Sequence, residues 1–315
     1  MSGDDKRFHL PPDLFIDRSM IFPMSDDLPS GAWHVTPIMK ELHRRNIDGR
    51  NVTVGVNDTS GETDHPFLPP FSGRDFTNSR YGLKDIHGHG HHCMGIVRSV
   101  APMVNIKCAK VLGDNGSGST TGINSGREWL AEQGCDVISE SLGDNGGPPV
   151  QADLVSFDRA YAKQVSICVA ALGNAGYNGS GTTIGRPGSY SDKNHGIAAI
   201  GSDWRTIAGF SSGGPQARFC GAGVGIISCK PGGGWVSMSG TSMATPWVAG
   251  LYALVISWRR GLGMPDLKGA KAWADFFTTN NLTVDLGAPG WDPRYGNGLI
   301  DVQKVFQFLL DNTSI

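Results

Sequence analysis

The sequence has no run of lysine or arginine long enough to mark a nucleic-acid footprint, and no acidic tail. Its 27 basic and 29 acidic residues are spread along 315 positions, for a formal net charge of −2. No apolar stretch approaches the ~20 residues a membrane-spanning helix needs. Residues 1–30 alternate charge, proline and apolar side chains without the continuous apolar segment of a signal peptide. None of the six cysteines falls in a Cys-x-x-Cys pair, which argues against zinc-ribbon and thioredoxin-like chemistry. Cys108 and Cys168 sit inside apolar, strand-like runs, where cysteine behaves as a small hydrophobe. Reduced thiols, no nucleic-acid or membrane partner and a monomer are therefore expected. A cytoplasmic setting is favoured over a secreted one.

Glycine, by contrast, is abundant: 45 residues, against a typical usage of ~7%. It falls in short groups, at Gly88–Gly90, Gly116–Gly118 and Gly232–Gly234, rather than in a repeat. Such placement suits a backbone that turns sharply or approaches a ligand closely. From residue 51, Val- and Ile-rich runs alternate with helical patterns. The runs at 51–57, 104–112, 136–141, 165–172, 196–201 and 224–228 are apolar nearly throughout, as strands of a parallel sheet buried on both faces are. Helices are expected at 36–45, 120–133, 151–163, 241–258, 266–278 and 301–310. The alternation predicts an α/β fold of three layers, doubly wound, with a mostly parallel sheet flanked by helices. Ligands in such folds bind beyond the carboxyl ends of the strands.

Four segments put chemistry at those ends. NVTVGVNDTSG ends a strand at Asp58; DIHGHGHHCMG sets His89 between glycines; VAALGNAG ends another strand at Asn174; SGTSMATP brings Ser242 to the start of an apolar helix. Judged singly, each has an ordinary structural explanation: a capping carboxylate, a surface histidine, a helix N-cap at Thr241 or Ser242. Together they supply the orienting carboxylate, general base, nucleophile and exposed amide donor that acyl transfer requires.

The order Asp, His, Ser in these segments, with SESLG (139–143), KVLGDNGSGS (110–119) and YGNGLIDVQ (295–303), resembles the subtilisin-like serine protease family over about residues 30–310. The resemblance implies a serine endopeptidase acting on peptide or protein substrates through Asp58, His89 and Ser242, with Asn174 binding the oxyanion. It places substrate-binding residues at Gly116, Ser117, Gly118, Ser141, Leu142, Gly143, Ala171 and Gly173, with Gly185 at the base of the pocket for the residue before the scissile bond (P1). A glycine there implies room for a large apolar P1 side chain. Ala175 stands at a rim position that is often acidic in relatives, so Leu, Phe, Tyr or Met is expected over Lys or Arg.

The chain also departs from the family pattern. His91 replaces the usual Thr after the His-Gly pair, Trp247 the usual His before Val-Ala-Gly, and Thr59–Ser60 precede the glycine that commonly comes earlier. No metal ligand or cofactor is required by this reading. Structural calcium is a family trait, but Phe67 follows His65–Pro66 where relatives carry an Asp soon after. Gln216 and Arg218 stand where a weaker cation site is acidic, so both familiar sites are expected to be absent. Residues 1–27 precede the resemblance and read as a strap, a tail or a short inhibitory leader around His9–Pro12, with the catalytic domain at 28–315. Two other readings compete. His87–His92 is spaced like the HxHxDH zinc motif of metallo-hydrolases, but that leaves the other three segments unexplained. A catalytically silent binding module is disfavoured by the intact set of four groups.

Overall fold

The computed structural model describes residues 28–61, 64–69, 71 and 73–313. The N-terminal extension expected at residues 1–27, read as a strap, a tail or a short inhibitory leader, lies outside them. In chain order the first elements are α1 (Pro37–Arg44), β1 (Thr53–Asp58), β2 (Arg74–Asp75), α2 (His89–Val100), β3 (Asn105–Lys110), α3 (Thr120–Glu132), β4 (Val137–Glu140) and α4 (Gln151–Ala162). There follow β5 (Ile167–Ala171), β6 (Asn194–Ile200), β7 (Ala217–Ala222), β8 (Ile226–Cys229), β9 (Trp235–Met238) and α5 (Thr241–Gly261). The chain closes with α6 (Gly269–Thr279), β10 (Thr283–Val284), β11 (Leu299–Ile300) and α7 (Val302–Asp311).

Nine strands form one sheet in the order β10-β11-β7-β6-β5-β4-β1-β3-β2, parallel except where β10 meets β11. The three-layer, mostly parallel architecture is the one the sequence pattern implies. Side-chain caps start several helices as the residue types dictate. Thr36 accepts from the Met39 amide ahead of Pro37, Ser119 from Gly122, and Asp301 from Gln303 and Lys304. The 21-residue α5 is buried along nearly its whole length, so it carries no polar face. It packs under the sheet against β4–β7 and beside α2. On the opposite face, α3 and α4 cover β1, β3 and β4.

Of the departures from the expected layout, three bear most on the packing. Residues 224–228 do not join the parallel sheet. Ile226–Cys229 instead pairs antiparallel with Trp235–Met238 in a separate hairpin, because the turn-forming Pro231–Gly234 stretch folds the chain straight back. Strand β7, between β6 and β11, goes unannounced because its sequence, ARFCGA, breaks the apolar run with Arg218 and Gly221. Helix α2 does too: three histidines and two glycines hide a helix that is buried on almost every side.

Candidate active site

Asp58 ends β1 at the point where the sheet grows outward to β3 on one side and β4 on the other. Such a switch point opens a crevice at the strand ends. The carboxylate is wholly buried and its Oδ1 accepts from the Thr59 amide at 2.7 Å. His89 opens α2. The residue before it, Gly88, has φ +89°, a conformation open to glycine at little cost, and this turn aims the imidazole back at β1. His89 Nδ1 lies 2.8 and 3.0 Å from the two carboxylate oxygens of Asp58. Burial disfavours charge on the imidazole, but the adjacent Asp58 carboxylate outweighs it and holds the His89 pKa well above the ordinary value.

Ser242 is the second residue of α5. Pro246, one turn on, has no N–H to give the Ser242 carbonyl, as a helix would normally require. That freed carbonyl instead accepts from the Ser141 hydroxyl at 2.8 Å and from the Cys93 thiol at 3.6 Å. A helix-breaking residue is thus what ties the serine turn to the segment after β4. The Ser242 hydroxyl donates to the Ser141 carbonyl at 3.3 Å and, among the described residues, makes no hydrogen bond to His89. Catalytic hydrogen bonds of this kind often tighten only when substrate is bound.

Asn174 follows β5 and is exposed. Its Oδ1 accepts from the Thr241 amide at 3.0 Å and the Thr241 hydroxyl at 3.1 Å. With the oxygen so engaged, Nδ2 remains as a donor on the cleft side, beside the open amides at the start of α5. Thr241 is therefore not the helix cap that its residue type suggests. Gly240 occupies that position, and the Thr241 side chain orients the amide. Adjacency within GTS was the only sequence signal for this role.

A cleft of about 970 Å³ runs over these groups. Gly116, Ser117, Gly118, Ser141, Leu142, Gly143, Ala171, Gly173, Asn174, His89 and Ser242 line it, with Asp58 behind His89. Gly185 is not among the lining residues. A Cβ there would come within 2.1 Å of the Asp144 carbonyl oxygen, so the glycine serves a close backbone approach rather than an open pocket floor. Arg186, Pro187 and Asp144 line that end instead. Arg186 grips Asp144 through Nε at 2.8 Å and Nη2 at 2.6 Å. Partial burial works against the Asp144 charge, but hydrogen bonds from Arg186 prevail and hold the carboxyl below its usual range. That pair spans 42 positions in the chain, and nothing local in the sequence announces it.

The four histidines of the HGHGHH run diverge. His87 is exposed, with its ring centroid 6.1 Å from that of His89. His91 turns to Asp85 at 2.9 Å, and His92 Nε2 reaches the carbonyls of Ile226 and Val236 at 3.0 and 3.1 Å. Burial holds the His92 pKa down at about 4, as a neutral donor to two carbonyls allows. They do not converge as metal ligands. Among the described residues the one set of metal-capable atoms within 4.8 Å of one another is Asp58, His89 and Cys93. All six cysteines are buried and unpaired. Arg218 Nη2 donates to the Ser191 carbonyl at 3.1 Å, while Gln216 accepts from Thr182 at 3.4 Å.

Residues 49–298 match the family model described as the subtilase family. Among curated proteins, the chain is 35% identical to subtilisin DY of Bacillus licheniformis over 282 residues, covering 86% of this chain and 97% of that one. It is 33% identical to subtilisin E of Bacillus subtilis (strain 168) over 276 residues, covering 84% and 68%. It is 31% identical to a thermostable alkaline protease of Halalkalibacterium halodurans over 301 residues, covering 93% and 77%.

Proposed function

The chain belongs to the subtilase family and is a serine endopeptidase, and on that premise we propose that it cuts exposed polypeptide segments, preferring a large apolar residue at P1, with Asp58, His89 and Ser242 as its catalytic groups. In this reading Ser242 Oγ attacks the scissile carbonyl carbon while His89 Nε2 takes the hydroxyl proton. Asp58 accepts from His89 Nδ1–H, fixing the tautomer and stabilising the imidazolium that forms. The oxyanion is held by Asn174 Nδ2 and the Ser242 amide. Collapse of the tetrahedral intermediate passes the proton from His89 to the leaving amine and leaves an acyl ester on Ser242. A water activated by the same imidazole then releases the acyl group. The observation that carries the reading is the convergence on one cleft of a buried Asp58–His89 pair, Ser242 at a helix start, and an amide whose oxygen is already engaged.

Substrate main chain would lie between Gly116–Gly118 and Ser141–Gly143 and pair with them as an added strand, which gives affinity with little demand on side chains. The P1 preference draws support from the lining by Leu142, Ala171 and Ala175, and from Asp144, whose carboxylate is committed to Arg186. No cofactor is proposed. The guanidinium of Arg218 supplies positive charge where relatives use a cation. Hydrolysis of an unstructured protein by the wild type and by Ser242→Ala, each with and without chelator, tests the core of this proposal. The wild type should cut equally in both conditions and the variant in neither. Activity lost in chelator, or retained by the variant, would overturn it. A peptide library cut chiefly after Arg or Lys would reject the P1 assignment alone.

A further inference from the structure

His91, the residue that departs from the family pattern beside His89, forms a second histidine–carboxylate pair. It is 1% exposed and sits two residues along α2 from His89. Its Nδ1 lies 2.9 Å from Oδ2 of Asp85, itself buried in the loop before the helix, and its backbone amide donates to the same oxygen at 2.9 Å. Oδ1 of Asp85 accepts from the Thr59 hydroxyl at 2.8 Å and from the Gly88 amide at 2.7 Å. Burial opposes the Asp85 charge, but the His91 side chain and the backbone amides outweigh it, and its pKa falls to about 2. The Thr59 hydroxyl accepts in turn from the Gly90 amide at 2.8 Å, and the Thr59 amide holds Asp58 Oδ1 at 2.7 Å. On its far side, His91 Nε2 lies 3.1 Å from Asp64 Oδ1, within ion-pair reach though not aligned as a hydrogen bond. Asp64 accepts from the Gly232 amide. His65, facing the same space, is engaged by the Gly234 carbonyl and the Phe67 amide.

We propose that His91 is a positioning residue for the catalytic pair: by holding Asp85 it fixes Thr59, and through Thr59 the Asp58 carboxylate that orients His89. One carboxylate, Asp85, receives donors from the strand-end loop carrying Asp58 and from the first turn carrying His89. The His91 ring fills the remaining acceptor site of that carboxylate from inside the protein. Without the ring, Oδ2 keeps only an amide donor, and the Asp85–Thr59 contact is free to rotate. Small displacements in a catalytic pair lower the rate without altering how substrate is bound.

The inference rests on the reading of Asp58, His89 and Ser242 given above, and the test separates the two. A fluorophosphonate probe reacts with an activated serine without needing substrate subsites, so its labelling rate reports on the pair directly. His91→Ala should label Ser242 about tenfold more slowly per folded molecule, with kcat on a peptide reduced alike and KM unchanged. His91→Asn, whose amide can replace Nδ1 as donor to Asp85, should recover most of the rate. Thr59→Val breaks the relay without touching His91 and should be slowed like the alanine variant, which keeps the test intact if His91→Ala fails to fold. Wild-type labelling elsewhere than Ser242 would defeat the triad reading. Labelling at Ser242 with rates unchanged in Thr59→Val and in whichever His91 variants fold, whatever their stability, would overturn the positioning role alone.

Discussion

Two of the buried nitrogen–carboxylate pairs at the carboxyl end of the sheet differ in a way that shows what separates chemistry from support. In one, His89 faces Asp58 from the start of α2; in the other, Arg127 on α3 grips Glu140 at the end of β4 through Nε at 3.1 Å and Nη2 at 3.1 Å. Both carboxylates are fully buried. The His89 side chain is 18% exposed and opens on the cleft, whereas that of Arg127 is 1% exposed. Arg127 is satisfied from every side: Asn124 accepts from Nη1 at 2.7 Å, and the Phe157 ring lies 3.8 Å from the guanidinium carbon. Asn57, next to Asp58 in the chain, donates to Glu140 at 2.8 Å, so the structural pair holds the strand that carries the proposed catalytic one. A buried charge partnered all round fixes geometry; one left partly open to a cleft is available to react.

That contrast breaks down if the two pairs respond alike to substitution. Asp58→Asn keeps the shape but offers His89 a neutral partner and the wrong tautomer, and should lower kcat by about 10⁴. Its unfolding free energy should stay near that of the wild type, as denaturant titration would show. Glu140→Gln should do the reverse. It leaves the Arg127 charge uncompensated, which costs about 3–5 kcal/mol of stability in the same titration, while kcat per folded molecule falls little. The double variant Arg127→Met/Glu140→Leu, which removes both charges, should recover most of that loss. A double variant as unstable as the single one would mean that the network does more than balance its own burial. Smallest in effect is Asn174→Ala, which removes one donor from the cleft and should reduce kcat about 10²–10³-fold with little change in KM, the scale characteristic of such a donor in this enzyme family.

Much of this site was legible in the chain because its parts are local. Asp58 and Asn174 end apolar runs, Ser242 begins one, and His89 lies between glycines; each alone has an ordinary structural explanation, and the four segments in order are what single them out. The sheet was legible for the same reason, wherever strands are continuously apolar. What escaped is spatial. Arg127 and Glu140 are 13 positions apart, and Asn57 and Glu140 are 83 apart; each residue alone reads as solvent-facing. The His91–Asp85–Thr59 relay was hidden within a histidine run whose spacing suggests metal binding. The strand expected at 224–228 belongs to a hairpin instead, because an apolar strand reads the same whether its partner is parallel or antiparallel.

The account stands on His89 serving as the base for Ser242, and the pH dependence of covalent labelling tests this most directly. Only the neutral imidazole can accept the serine proton, and the Asp58 carboxylate raises the pH at which His89 becomes neutral. Mass mapping of the fluorophosphonate adduct across pH should therefore find it on Ser242 alone, at a rate that rises through a pKa above the ~6.5 of a free histidine. An adduct on another residue, or a Ser242 rate that does not change with pH, would contradict the account.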